Sequence, residues 1–176
     1  MNKHNLLYIY MVMCMGLMLV SCDNRTVFSH YESTPVRGWE RNDTLSFYIE
    51  SLQETGMYTE EVGLRITGDY PFMGLSLIVE QTIQPSNITI VDTLNCDLID
   101  ESGHANGKGI NHYQYLLPLT TLKLSKDESV HVAIRHCMKR EILPGITDVG
   151  LKLSRQVSAR VQTKEDKQKE GKAPQR

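Results

Sequence analysis

The chain has few aromatic residues, no large excess of either charge and only one long apolar run, and each shortage narrows what it can be. Phe, Trp and Tyr make up only 7% of the sequence, with Trp39 the single tryptophan, so each large ring carries weight in a core or an interface. The net charge of −2 supplies no basic footprint for nucleic acid, which is therefore not an expected partner. The four cysteines show neither the C-x-x-C spacing of a redox site nor the repeated Cys/His spacing of a zinc site. There is no G-x-x-x-x-G-K-[ST] phosphate loop and, beyond the first thirty residues, no amphipathic helical period as long as twelve. No cofactor is expected from these residues.

The one apolar run lies at residues 6–20, behind Lys3 and before the small residue Ser21 and Cys22. That order is the charged, apolar and cleavage-site layout of a secretory signal. Asp23, Asn24 and Arg25 end the run before the roughly twenty residues a transmembrane helix needs. Leu19-Val20-Ser21-Cys22 resembles the lipobox of bacterial lipoproteins, in which the Cys thiol takes a diacylglycerol and becomes the first residue of the mature protein. Lipidation at Cys22 would hold the chain to a membrane without spanning it, because several acyl chains bury enough CH₂ groups to make release rare. The expected location is the cell envelope, lipid-anchored on the periplasmic side, with inner or outer membrane left open. Cys14 leaves with the signal, so Cys96 and Cys137 remain in a compartment where they can pair or stay as separate small residues.

Residues 22–40 read as a lidlike tether with isolated aromatics, Phe28, Tyr31 and Trp39. After Asp43 the apolar period becomes two. Leu45, Phe47 and Ile49 alternate with polar residues, as do Val62, Leu64 and Ile66, then Leu75, Leu77 and Val79. Ile88, Ile90, Leu94, Cys96 and Leu98 follow at even spacing, then Tyr113, Tyr115 and Leu117, then Val130, Val132 and Ile134, and finally Val149, Leu151 and Leu153. Turns are marked by Gly68-Asp69-Tyr70-Pro71, Gln84-Pro85-Ser86-Asn87, Lys126-Asp127-Glu128 and Leu143-Pro144-Gly145-Ile146. The pattern predicts one all-β domain over residues 41–155, an antiparallel, jelly-roll-like β-sandwich. The glycine-rich stretch 101–109 predicts a long exposed loop, and the charged residues 156–176 a disordered tail whose lysines outnumber its acids.

A search for chemistry returns no nucleophile, base and orienter set. His104 and His112 flank the glycine-rich loop, while His131 and His136 stand five apart and so face opposite sides of a strand. Asp92, Asp97, Asp100 and Glu101 gather near the loop without the fixed spacing of a calcium site. Among the aromatics, Trp39, Tyr70 and Phe72 are the candidates for a partner-binding surface, with core packing as the competing reading.

Four segments, in order, carry a family resemblance. They are Phe28-x-x-Tyr31 with Trp39 and Asp43-Thr44-Leu45-x-Phe47; Leu64-Arg65-Ile66-Thr67-x-x-Tyr70-Pro71-Phe72 with Leu75-x-Leu77; Asp92-Thr93-Leu94 with Gly103 and Gly107-Lys108-Gly109; and Leu143-Pro144-Gly145-Ile146-x-Asp148-Val149-Gly150-Leu151. Behind a lipobox, this order resembles the GldH lipoproteins of the Bacteroidetes. His104-Ala105-Asn106 departs from the resemblance, which expects a bulky aromatic before the second loop glycine. The resemblance implies a non-enzymatic envelope lipoprotein associated with gliding motility, surface-adhesin machinery and protein secretion, with other envelope proteins as partners. The alternative is a lipid-anchored carbohydrate- or small-ligand-binding sandwich, and a lipid-anchored hydrolase stands behind both.

Overall fold

A computed structural model describes residues 25–156, all strand, turn and loop. Its strands are β1 (Thr26–Ser33), β2 (Trp39–Glu40), β3 (Leu45–Ile49), β4 (Gly56–Thr67), β5 (Gly74–Gln84), β6 (Ile88–Asp97), β7 (His112–Leu124), β8 (Ser129–His136), β9 (Ile142–Leu143) and β10 (Ile146–Arg155). The eight long strands form two four-stranded antiparallel sheets, ordered β1-β10-β4-β7 and β3-β8-β5-β6. Alternation builds the core between them. Tyr58, Val62, Leu64 and Ile66 from β4 and Val149, Leu151 and Leu153 from β10 are buried, as are Leu75, Leu77 and Val79 from β5 and Val130, Val132 and Ile134 from β8.

The pairing is nested. β5 pairs with β6, β4 with β7, β3 with β8 and β1 with β10, so the chain is one long hairpin, bent at residues 84–87 and rolled up on itself. That connectivity is the eight-stranded jelly roll. The signal segment, Cys22 and the charged tail beyond Gln156 lie outside the described residues.

Two local readings change. Residues 26–33, expected as part of a tether, form edge strand β1 of the first sheet, pairing with β10 from Thr26↔Ser154 to Ser33↔Asp148. β1 buries little: only Phe28, Tyr31 and Glu32 along it are even partly covered, so no clean alternation marks it. The second change is in β7, where the register with β4 slips at Glu60/Glu61, leaving Leu119 as an extra residue. Inward-facing residues are therefore odd-numbered before that bulge (Tyr115) and even-numbered after it (Leu122, Leu124).

Three inward strand positions are polar, Glu60, Gln81 and, at the end of β8, His136. Glu60 on β4 and Gln81 on β5 are fully buried, and neither side chain has a hydrogen-bond partner. Burial, and secondarily the charge of Asp92, pushes the Glu60 carboxyl up from 4.5 to about 7.

Candidate functional site

Strand direction gives the sandwich two unlike ends. β1 starts and β10 finishes at one end, which also holds the connections at residues 50–55, 85–87 and 125–128. The opposite end gathers 34–44, 68–73, 98–111 and 137–145. Loops on a rigid sandwich are where recognition residues are usually carried, and the longer loops all sit at this second, distal end.

The distal end is closed by the two-stranded ribbon of β2 and β9, with Trp39 opposite Leu143. Trp39 has 0% exposure. Its indole N–H donates to the carbonyl of Asp43 at 3.0 Å, and its ring meets His136 edge-on with centroids 5.2 Å apart. The His136 Nε2–H donates to the Trp39 carbonyl at 3.2 Å. Burial holds His136 below its ordinary value and hence neutral, although the same carbonyl pulls the other way. Around the ribbon, Arg37 pairs with Glu40 at 2.6 Å and Arg41 pairs with Glu141.

Behind the ribbon two turns interlock. Gly145, at φ +81 after Pro144, has the conformation demanded at the third position of a type II turn. It also lies so close to the backbone of Tyr70 that a Cβ there would clash. The Gly145 carbonyl accepts from Thr67 N–H at 2.7 Å, tying the two turns together. Tyr70 donates its hydroxyl to the Gly74 carbonyl at 2.9 Å and packs edge-on against Phe72.

The glycine-rich loop is built rather than loose. Asp100 Oδ1 accepts from the backbone N–H groups of Ser102 and His104 at 2.9 and 2.8 Å. Asn106 N–H donates to the Leu98 carbonyl, and Lys108 and Gln114 exchange two backbone hydrogen bonds. The ring of Tyr115 lies against Gly107, where an added Cβ would come within 2.6 Å of it, and the Tyr115 hydroxyl donates to Leu98. Between this loop and β7 lies a shallow cleft of about 620 Å³ lined by Asp97, Asn106, Lys108, Gln114, Tyr115 and Leu117 among others.

The sequence-derived candidates divide. Trp39 and Tyr70 are core residues, so they support the distal surface from beneath instead of forming it. Phe72 is half-buried on the Tyr70 ring. Cys22, the candidate lipidation site, lies outside the described residues. Cys96 is buried and Cys137 exposed, each with a free thiol. His104 faces Asp100, at 3.7 Å. Among the described residues no three His, Cys, Asp or Glu side chains converge as metal ligands. What sequence reading missed is the exposed apolar set of this end, Val36, Met73, Ile110 and Ile142. Each falls in a turn, a loop or a two-residue strand, where no period can betray it.

An eight-stranded antiparallel jelly-roll sandwich with its longer loops collected at one end defines the class, a single all-β sandwich domain. The family model described as GldH lipoprotein matches residues 26–153, from the first strand to the last. The chain belongs to the GldH lipoprotein family. It is 33% identical over 145 residues to the gliding motility lipoprotein GldH of Flavobacterium johnsoniae, covering 78% of this chain and 90% of that protein. It is also 26% identical over 148 residues to the gliding motility lipoprotein GldH homolog of Christiangramia forsetii, covering 79% and 90%. Among solved structures, a 4-O-methyl-α-glucuronidase with specificity for decorated arabinogalactans overlays with a TM-score of 0.43 and 14% identity, over 77% of this chain and 18% of that one. At that level of agreement nothing about function transfers. The family is not one of enzymes by name, and its members are lipoproteins of the cell envelope.

Proposed function

We propose that this protein is a lipid-anchored, non-enzymatic component of the gliding-motility or secretion-associated envelope machinery. In this reading Cys22 carries the lipid and the distal loops meet other envelope proteins. The observation that carries it is the family match running through the whole jelly roll, with Leu19-Val20-Ser21-Cys22, which resembles a lipobox, directly before it. The geometry supports it as well. Only Asp23, Asn24 and Arg25 separate Cys22 from β1, so an acylated Cys22 would hold the near end within about 14 Å of the bilayer and turn the distal loops away from it. The exposed apolar residues and ion pairs of the distal end give a partner apolar contact inside a polar rim.

The test is direct. Cells fed labelled palmitate should label the wild-type protein and not C22A, and C22A should leave the membrane fraction and fail to complement a deletion strain. Crosslinking of the native lipoprotein should capture envelope proteins through the distal loops. A C22A protein that still fractionates with membranes and restores function would sink the reading.

A second reading, a carbohydrate or small ligand held by the same domain, has the cleft beside Tyr115 in its favour. That cleft offers an aromatic ring, a carboxamide, an ammonium and a carboxylate around an apolar floor. Binding on a glycan array that is lost with N106A and Q114A together would favour it.

A further inference from the structure

We propose that the open edge of β6 is a docking site for an extended segment of a partner protein, one that sets a basic residue between two apolar ones on its inward side. Such a contact lies on the flank of the sandwich, separate from the distal loops, and it rests on the reading that this domain works by binding other envelope proteins.

Each sheet ends in two strands with one side unpaired, β1 and β7 in the first and β3 and β6 in the second. Open edges invite further pairing, and proteins blunt them with short strands, bulges, prolines or charges. Three of the four are blunted in this way. β1 has an irregular register between Thr26 and Phe28 and carries the His30–Glu32 pair, β7 carries Pro118 and the bulge at Leu119, and β3 has only five residues. β6 pairs with β5 without a break from Gly74↔Asp97 to Ile83↔Ile88, and it has no Pro, Lys or Arg. The Leu98 N–H donates to the Met73 carbonyl at 2.9 Å, so even-numbered residues here turn their backbone groups to β5 and odd-numbered ones turn theirs away. At the distal end the Asn106 carboxamide donates to the Asp97 carbonyl at 3.2 Å. Among the described residues no strand pairs with the row that is left, the N–H and C=O groups of Thr89, Val91, Thr93 and Asn95.

Those backbone groups call for an extended chain, and the side chains around them narrow which. On the solvent side Thr89, Val91, Thr93 and Asn95 are exposed and uncharged, which suits β-branched or small polar neighbours. On the inward side Ile90 and Leu94 flank Asp92, and all three are only half-buried. Asp92 adds its charge beside Glu60, whose carboxyl is fully buried without a hydrogen-bond partner, and no described cation pairs with Asp92. An added strand sets apolar side chains opposite Ile90 and Leu94 and a single residue opposite Asp92. A Lys or Arg at that position meets an unpaired carboxylate where water is partly excluded and a charge pair counts for more. A second copy of this chain fits poorly. Its β6 has no basic residue to offer Asp92, and antiparallel self-pairing points the near end of one copy away from the membrane that would hold the other.

The test uses the chain from residue 22 onward with C22A, which bears no lipid and keeps every strand. The probes are the fluorescein-labelled peptide Ser-Thr-Val-Thr-Lys-Thr-Val-Thr-Ser and the same peptide with Glu in place of Lys. Fluorescence anisotropy should show the Lys peptide binding on the order of tenfold more tightly than the Glu peptide at low salt. Adding the Lys peptide should slow hydrogen exchange at the amides of Thr89, Val91 and Asn95 and of Thr93, read by NMR. T93P removes an outward N–H donor and leaves the bonds to β5 in place, so it should abolish binding with an unchanged far-UV circular dichroism. D92K should reverse the preference between the two peptides, which keeps the proposal testable if T93P fails to fold. No binding of the Lys peptide, equal binding of the two, undiminished binding to a folded T93P, or an unreversed preference in D92K would overturn the proposal. So would a chain that sediments as a dimer without peptide and already protects the same four amides, since a second copy would then occupy the edge. Palmitate labelling of Cys22, complementation and crosslinking through the distal loops enter none of these measurements, so a failure here is distinct from a failure of the lipoprotein reading.

Discussion

Glu60 is the residue most at odds with its surroundings. Its carboxyl lies between the sheets without a hydrogen-bond partner, and burial raises it from 4.5 to about 7. A carboxyl raised on folding binds its proton more tightly in the folded state, so its contribution is fully present below pH 4.5 and is lost as pH rises through 7. The loss amounts to about 3 kcal/mol across that window. E60Q should accordingly be more stable than wild type at pH 8 and nearly equal to it at pH 5, read by urea unfolding at the two values; a wild-type-like slope in E60Q would refute the assignment. His136 runs the other way. Its depressed value means stability is present above the ordinary histidine range and lost as pH falls below it, so E60Q should unmask a purely acid-side decline. Trp39 joins the ribbon to His136, and W39A should cost about 3 to 5 kcal/mol by cavity formation alone, measured by thermal or urea unfolding. W39F should recover most of the packing while losing the indole bond to Asp43.

At the scale of elements, the outer face of the first sheet depends on a missing side chain in two adjacent strands. Tyr31 on β1 lies opposite Gly150 on β10, which lies opposite Gly63 on β4, and the tyrosine ring covers both glycines. A Cβ on Gly150 would fall 2.6 Å from the Tyr31 ring, which also holds the Arg65 guanidinium 4.2 Å over its face. G150V should therefore expel Tyr31 and cost about 1 to 3 kcal/mol by overpacking, and Y31A in the same chain should recover part of that loss in a double-mutant cycle. The strands that bury one whole face, β3, β4, β5, β8 and β10, were legible in the sequence because burial imposes alternation. β1 was not legible because none of its residues is fully buried, so no alternation marks it. The β7 bulge appears in the sequence only as a change of parity between Leu117 and Leu122, which looks like two separate segments until the partner strand is known. The β2–β9 ribbon was not legible at all, since two-residue strands carry no period and Trp39 meets Leu143 only through the fold. For Trp39 and Tyr70 core packing was the reading that competed with a partner surface, and both are buried; what the sequence could not give is the ribbon and the interlocked turns that bury them.

For the whole molecule, nesting is the governing fact. Every pair from β5–β6 outward joins residues progressively farther apart in the chain, so folding closes its longest loop last and should be slow for a domain of this size. The same nesting brings residues 25 and 156 side by side at one end, with the hairpin bend at 84–87 exposed at that end too. A circular permutant that joins 156 to 25 through a short Gly/Ser linker and opens between Ser86 and Asn87 should keep its far-UV circular dichroism and unfold cooperatively, close to the parent. Loss of cooperative unfolding would show that the bend is required for the roll. There is also a mechanical consequence to the pairing of β1 with β10. If a moving partner pulls on the distal loops while acyl chains hold residue 22, the tension runs lengthwise along β1. Antiparallel hydrogen bonds lie across that direction, so the rungs of the β1–β10 ladder resist together, in shear, instead of opening one after another like a zip.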